Sequence, residues 1–165
     1  MRPSALSRED FVDRFGPVYE ASPWVAESVW PAAGRGELDD RDTLADAMRD
    51  MVDTAPHAQQ LALIRAHPQL AVAINMAPAS VDEQRGAGLD RCSPDELAEF
   101  QRLNAAYVER FGHPFIIAVK GLSRGDILAA FAERSDNDAE AEFATALAQI
   151  HRIAGFRLAS LFDSE

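Results

Sequence analysis

Apolar residues recur along this chain at helical spacing. From about Thr43 to Thr54, Leu44, Ala47, Met48, Met51 and Val52 fall at i, i+3, i+4, i+7 and i+8, the stripe one helix face presents to a core. Leu97, Phe100, Leu103, Asn104, Tyr107 and Phe111 form a second stripe. Phe143, Leu147, Ile150, Ala154, position 157 and Leu161 form a third. Start and stop signals separate further helices. Ser7 caps a helix carrying Phe11, Val12 and Phe15, with Gly16 as its stop. Ser22-Pro23 opens a helix to about Ala33 that contains Trp24 and Trp30, and Pro31 is expected to end or kink it. Pro56 opens a helix that runs into His67, where Pro68 stops it, because the residue before a proline is pushed out of the α region.

In the second half, Ser80-Val81-Asp82-Glu83 has the form of a capping box, with Gly86 and Gly88 limiting the helix that follows. Ser93-Pro94-Asp95-Glu96 is a fuller start signal, for a helix ended by Gly112. Ser123 caps a helix through Ile127, Leu128 and Phe131, and Asn137-Asp138 opens the last and longest, to about Phe162. Two stretches resist assignment by periodicity: Leu70-Ala71-Val72-Ala73-Ile74 fits a short helix or an extended run, and Pro114-Phe115-Ile116-Ile117-Ala118-Val119 fits a buried extended segment. A lone strand would have no partner, so no sheet is expected. The pattern predicts an all-α protein, a single compact multi-helix domain over residues 1–165 with roughly seven to nine helices.

Composition narrows the function classes. A chain of 165 residues with 47% hydrophobic residues can bury a core of its own. The net charge of −11 argues against nucleic acid and anionic membrane surfaces as partners, while leaving room for a small anion where a few cations converge. The lone cysteine, Cys92, cannot form an intrachain disulfide and suits a reducing, cytoplasmic setting. No signal-peptide pattern, membrane-length apolar run or metal-ligand spacing is visible, so no metal is expected.

Three residue types carry candidate chemistry. His67 sits at a helix stop, where its side chain either packs or faces a cleft. Arg157 interrupts the apolar stripe of the last helix, so it either snorkels to water or meets an anionic partner. Glu83 either completes a cap or, with Gln84, presents a carboxylate and an amide to a polar substrate. Histidine, carboxylate and arginine together would supply an acid/base group, an orienting group and an anion clamp. The residues alone leave both alternatives open in each case. Of the remaining residues, His57 and His151 read as exposed, His113 as structural in its Gly112-His113-Pro114 turn, and Cys92, Met48 and Met51 as core. The Asp39-Asp40-Arg41-Asp42 run reads as a solvated helix start.

Several segments, taken together, resemble one family. They are His67-Pro68-x-Leu70, Ser80-x-x-Glu83-Gln84-x-x-Ala87-Gly88-Leu89, Phe100-x-x-Leu103-Asn104-x-x-Tyr107, Phe111-Gly112-x-Pro114-Phe115-Ile116, Ile127-Leu128-x-x-Phe131, Asn137-Asp138-x-x-x-Glu142 and Ile153-Ala154-x-x-Arg157-Leu158. In this order, over nearly the whole chain, they resemble the OHCU decarboxylase family, which acts on 2-oxo-4-hydroxy-4-carboxy-5-ureidoimidazoline in urate breakdown. The resemblance implies an all-helical fold, usually a homodimer, with no cofactor or metal, that decarboxylates OHCU to (S)-allantoin. It places the catalytic set on His67, Glu83 and Arg157, and substrate contacts on Pro68, Ser80, Gln84, Phe115 and Ile116. This chain departs from the family's pattern at Gln69 and Ala71-Val72, where a charged residue and a glycine are common. The competing expectation is a catalytically silent helical module that binds a purine-derived ligand or a protein partner.

Overall fold

A computed structural model describes residues 1–71 and 78–164. Regular structure among these residues is entirely helical, with eight α-helices and three short 3-10 turns, as the apolar spacing predicts. The helix-or-extended expectation for the stretch after Pro68 falls largely on residues 72–77, outside the described residues. Contacts group the chain into two compact units, Met1–Ala66 with the C-terminal stretch from His151, and His67–Ile150.

The first unit holds α1 (Arg8–Phe15), α2 (Trp24–Ala33), α3 (Arg41–Asp53), α4 (His57–Ala66) and the second half of α8 (Ala139–Asp163). Ser7 accepts the Asp10 N–H and starts α1 as expected. Asp40 caps α3 by accepting the Asp42 and Thr43 N–H groups, so the acidic run is indeed a helix start. Buried Phe11 and Phe15, 4.8 Å apart, form an aromatic cluster with Trp30 and Phe162.

Three local expectations need correction. Ser22 does not cap α2; its hydroxyl donates to the Glu20 carbonyl, and Pro23 takes the cap position. Pro31 does not end α2, which continues to Ala33, because a proline in the last turn removes a single N–H and the Gly34 N–H still bonds Trp30. Met51 is 38% exposed although it extends the α3 stripe. Leu44, Met48 and Val52 form the buried line, spaced by four, and Met51 sits at its edge.

The second unit holds α5 (Pro78–Gly86), α6 (Pro94–Phe111), α7 (Arg124–Arg134) and the first half of α8. Full capping boxes open α6 at Ser93/Glu96 and α7 at Ser123/Asp126. Gly112 ends α6 at φ +77°, a conformation glycine adopts without steric cost. The expected capping box at Ser80 is absent. α5 opens at Pro78, whose fixed φ suits the first helical position, so Ser80 lies buried inside the helix. The core joins Leu70, Leu89, Phe100, Tyr107, Phe115, Val119, Ile127 and Phe131. Residues 114–119 take neither helix nor strand. His113 is structural as expected, its ring buried against Phe111 and Tyr107.

Candidate active site

α4 ends at Ala66, and His67 is the first residue beyond it, 7% exposed. Pro68 cannot continue a helix, so the chain turns. That turn includes Ala71 at φ +58°, a left-handed conformation uncommon outside glycine. Two buried amide side chains latch it. Gln84 accepts the Ala71 N–H at 3.0 Å and donates to the Gln69 carbonyl at 3.3 Å. Asn104 donates to the Leu70 carbonyl at 2.9 Å. Three successive residues after His67-Pro68 are thus tied to α5 and α6, and Leu70 is seated in the core. Rigid placement of a candidate acid/base group demands this kind of support.

Gln84 therefore lies against the turn that follows His67-Pro68. Ser80, Glu83 and Gln84 share α5: Ser80 and Gln84 are buried, and Glu83 is half-buried. Phe115 and Ile116 are buried, and a network that sequence reading did not single out holds them. The Phe115 ring stacks on Phe131 with 3.8 Å between centroids, and the Arg134 guanidinium lies over its other side at 4.2 Å. Arg134 Nη1 donates to the Ile116 carbonyl at 2.6 Å, while Nε and Nη2 donate to Glu142 at 2.8 and 2.6 Å. Glu142, fully buried, also accepts from the Tyr107 hydroxyl at 2.5 Å and from Asn137 at 3.2 Å. Burial and the bond to Glu142 push the Tyr107 hydroxyl far above its ordinary titration range, so it stays a donor. Tyr107 and Glu142 both stand in the motif segments. Arg134 had no signal beyond its place near the end of α7.

Arg157 belongs to the first unit and is buried, which decides between the two readings of its place on the apolar stripe: it does not snorkel to water. Its anionic partner is Glu20, itself buried, with Arg157 Nη1 to Glu20 Oε2 at 3.0 Å. The same nitrogen lies 3.3 and 3.4 Å from the Pro17 and Val18 carbonyls. Glu20 escaped notice because nothing local marks it. His151 is another correction: it is buried, not exposed. Its Nδ1 meets the Tyr19 hydroxyl at 2.9 Å and its Nε2 meets Asp53 at 2.8 Å. Both contacts satisfy an imidazole that helical periodicity left among polar neighbours. One turn and a half of α8 thus grips consecutive residues, Tyr19 through His151 and Glu20 through Arg157. Cys92 is half-buried, and burial raises its thiol above the usual range, which keeps it a thiol.

Among the described residues no helix is long and apolar enough to cross a membrane. The family model described as OHCU decarboxylase matches residues 4–159. A 2-oxo-4-hydroxy-4-carboxy-5-ureidoimidazoline decarboxylase of Haloferax volcanii is 45% identical over 160 residues, 97% of this chain and 94% of that protein. A crystal structure of (S)-allantoin synthase superposes with a TM-score of 0.78 at 32% identity, covering 96% of this chain and 52% of that one. A crystal structure of OHCU decarboxylase in the presence of (S)-allantoin gives a TM-score of 0.73 at 26% identity, covering 88% and 95%.

Proposed function

The chain belongs to the OHCU decarboxylase family, and from that premise we propose that it converts 2-oxo-4-hydroxy-4-carboxy-5-ureidoimidazoline to (S)-allantoin with His67 as the acid/base group. It is a carbon–carbon lyase of urate breakdown. The bond between the ring carbon and its carboxylate breaks and carbon dioxide leaves. The electron pair left behind delocalises into the conjugated imidazolone, giving an enol. A proton then adds to the neighbouring ring carbon, the one that carries the ureido group, while the hydroxyl-bearing carbon gives up its O–H proton and becomes a carbonyl. The protein's task is to orient the carboxylate, place charge around the ring and deliver one proton to one face.

In this reading His67 steers the carboxylate and supplies the proton. Glu83 orients the imidazole or binds the ureido N–H groups. Ser80 and Gln84 address the polar edge of the ring, with Pro68 beside it, and the backbone at Phe115 and Ile116 receives the ring itself. Arg157 binds a ring carbonyl or the developing negative charge. The observation that carries the proposal is the latched turn after His67-Pro68, where Gln84 and Asn104 satisfy one backbone group on each of three consecutive residues. Latching a turn that includes a left-handed alanine makes sense where the preceding histidine has to be held still. We also read the protein as a cytoplasmic homodimer, which the lone Cys92 and the family resemblance support; light scattering on the purified protein tests the dimer.

The enzymatic test generates OHCU in place from urate. Its ultraviolet decay is followed while circular dichroism reports the handedness of the allantoin formed. The wild-type chain is expected to accelerate decay and yield the S product. His67→Ala is expected to lose general acid–base assistance worth about 10²–10⁴-fold, together with stereospecificity. No acceleration by the wild type over the spontaneous reaction overturns the activity, and near-normal stereospecific turnover by His67→Ala overturns the role of His67.

A further inference from the structure

Residues 114–119 form a backbone run with neither helix nor ladder, yet most of it is buried. Backbone polar groups in that position need partners from elsewhere. Side chains supply them. Arg134 takes the Ile116 carbonyl at 2.6 Å, and Gln149, on α8, takes the Ala118 N–H at 2.9 Å. The ends are also fixed, by His113 Nδ1 at 3.0 Å from the Pro114 carbonyl and by the Leu122 N–H donating to the Val119 carbonyl at 3.0 Å.

Ile117 lies between the two anchors. There are no cis peptide bonds among the described residues, and in a trans peptide the C=O and the following N–H point in opposite directions. With the Ile116 carbonyl aimed at Arg134, the Ile117 N–H is turned away from Arg134. With the Ala118 N–H aimed at Gln149, the Ile117 carbonyl is turned away from Gln149. Ile117 itself is half-buried, and neither its N–H nor its carbonyl has a partner among the described residues. A donor and an acceptor on one residue complement a ligand that carries a ring amide or a ureido group.

We propose that Gln149 and Arg134 are positioning residues that hold the Ile117 peptide edge toward the bound ring. The proposal rests on the reading that the backbone near Phe115 and Ile116 receives the substrate. Arg134 is placed for this by Glu142, which takes two of its N–H groups while a third reaches Ile116. Among the described residues the Gln149 side chain has one hydrogen-bonding task, accepting the Ala118 N–H, so replacing it perturbs the edge with the least disturbance of the core.

The test measures KM, kcat and thermal midpoint for Gln149→Met, Gln149→Glu, Arg134→Lys and Ile117→Pro, with OHCU generated from urate. Gln149→Met keeps the volume and removes the acceptor. It is expected to raise KM about fivefold, the size of one hydrogen bond's contribution, with kcat changed less than about twofold. Gln149→Glu keeps an acceptor oxygen and is expected to restore KM. Arg134→Lys keeps a cation for Glu142 but cannot span both the carboxylate and the Ile116 carbonyl, so it gives an independent rise in KM. Ile117→Pro deletes the N–H itself and is also expected to raise KM. If Ile117→Pro raises KM while Gln149→Met leaves it unchanged, the positioning role is overturned and the ligand-facing edge stands. If Ile117→Pro leaves KM unchanged, the reading of this backbone as substrate-receiving fails, and the positioning role falls with it. A lowered thermal midpoint with unchanged KM in Gln149→Met and Arg134→Lys assigns them to folding alone and also overturns the proposal.

Discussion

Replacing Glu142 by glutamine removes one charge from a fully buried carboxylate and changes almost nothing in shape. The carboxylate takes two N–H groups from Arg134, one hydroxyl from Tyr107 and one N–H from Asn137. Arg134 is itself buried, so its guanidinium is left without a counter-ion. Breaking a buried pair by removing one partner typically costs 3–5 kcal/mol. The amide oxygen of glutamine can still accept one bond, which puts the expected loss at the lower end, about 3 kcal/mol. Unfolding entropy scales to about 350 cal/mol/K for a chain of this length, so the thermal midpoint falls by about 9 °C. Tyr107→Phe deletes one bond to a charged acceptor and is expected to cost about 1.5 kcal/mol in the wild type but about 0.5 kcal/mol or less beside Glu142→Gln, since the acceptor is then neutral. Urea or thermal denaturation of the four proteins of this cycle measures both quantities. A loss below about 1 kcal/mol for Glu142→Gln, or full additivity with Tyr107→Phe, would mean the pair is hydrated and refute the reasoning.

Glu20→Gln poses the same question in the first unit, where Glu20 and Arg157 are both buried; the urea midpoint is expected to fall by about 3 kcal/mol in free-energy terms with an unchanged denaturant slope, and no shift would show that Arg157 does not need this carboxylate. The two capping boxes predict an acid limb. Bonds from the backbone and side chain of Ser93 hold Glu96, and those of Ser123 hold Asp126, below the ordinary carboxylate range. A depressed folded pKa adds stability above the unfolded value, about 4, and that stability is lost as pH falls through the depressed value. Glu96→Gln with Asp126→Asn is therefore expected to flatten the fall of thermal midpoint below about pH 4; an unchanged slope would count against the caps as its source.

What the sequence discloses here is set by range. Caps are local chemistry: a serine, a proline and a carboxylate three residues on make the α6 start at Ser93 readable, because every group involved lies within one turn. Where two local signals compete, the earlier one can win, as Pro78 opens α5 before Ser80 could cap it. Stripes are readable to within one residue of their edge, which is why Met48 is buried and Met51 is not. Pairings between distant segments leave no such trace. Glu20 and Arg157 are separated by 137 positions, and Tyr19 and His151 by 132. Arg157 on an apolar stripe announced that it either reaches water or meets an anionic partner, because burying a guanidinium alone is too costly, but that cost names no residue. His151 gave no such warning, since a histidine among polar neighbours on a helix is compatible with either exposure.

The same logic explains why the candidate site was partly legible. His67 and Gln84 were found separately, one from a helix stop and one from the segment that follows. Their relation lies in backbone groups of residues 69 and 71 that any side chain sequence would conceal. Arg134 and Gln149 were missed for the same reason: each bonds to main-chain atoms of residues 116 and 118, and a peptide group looks alike at every position. A run such as residues 114–119, apolar, flanked by Gly112 and Pro114 and lacking a second strand, must therefore be read as a demand for partners. In a helical protein, beyond a turn at its end, those partners come from side chains with a donor or acceptor long enough to reach, and the arginines and glutamines of the flanking helices are the first places to look. Here that search leads to α7 and α8, and leaves Ile117, between the Arg134 and Gln149 anchors, with neither its donor nor its acceptor partnered among the described residues.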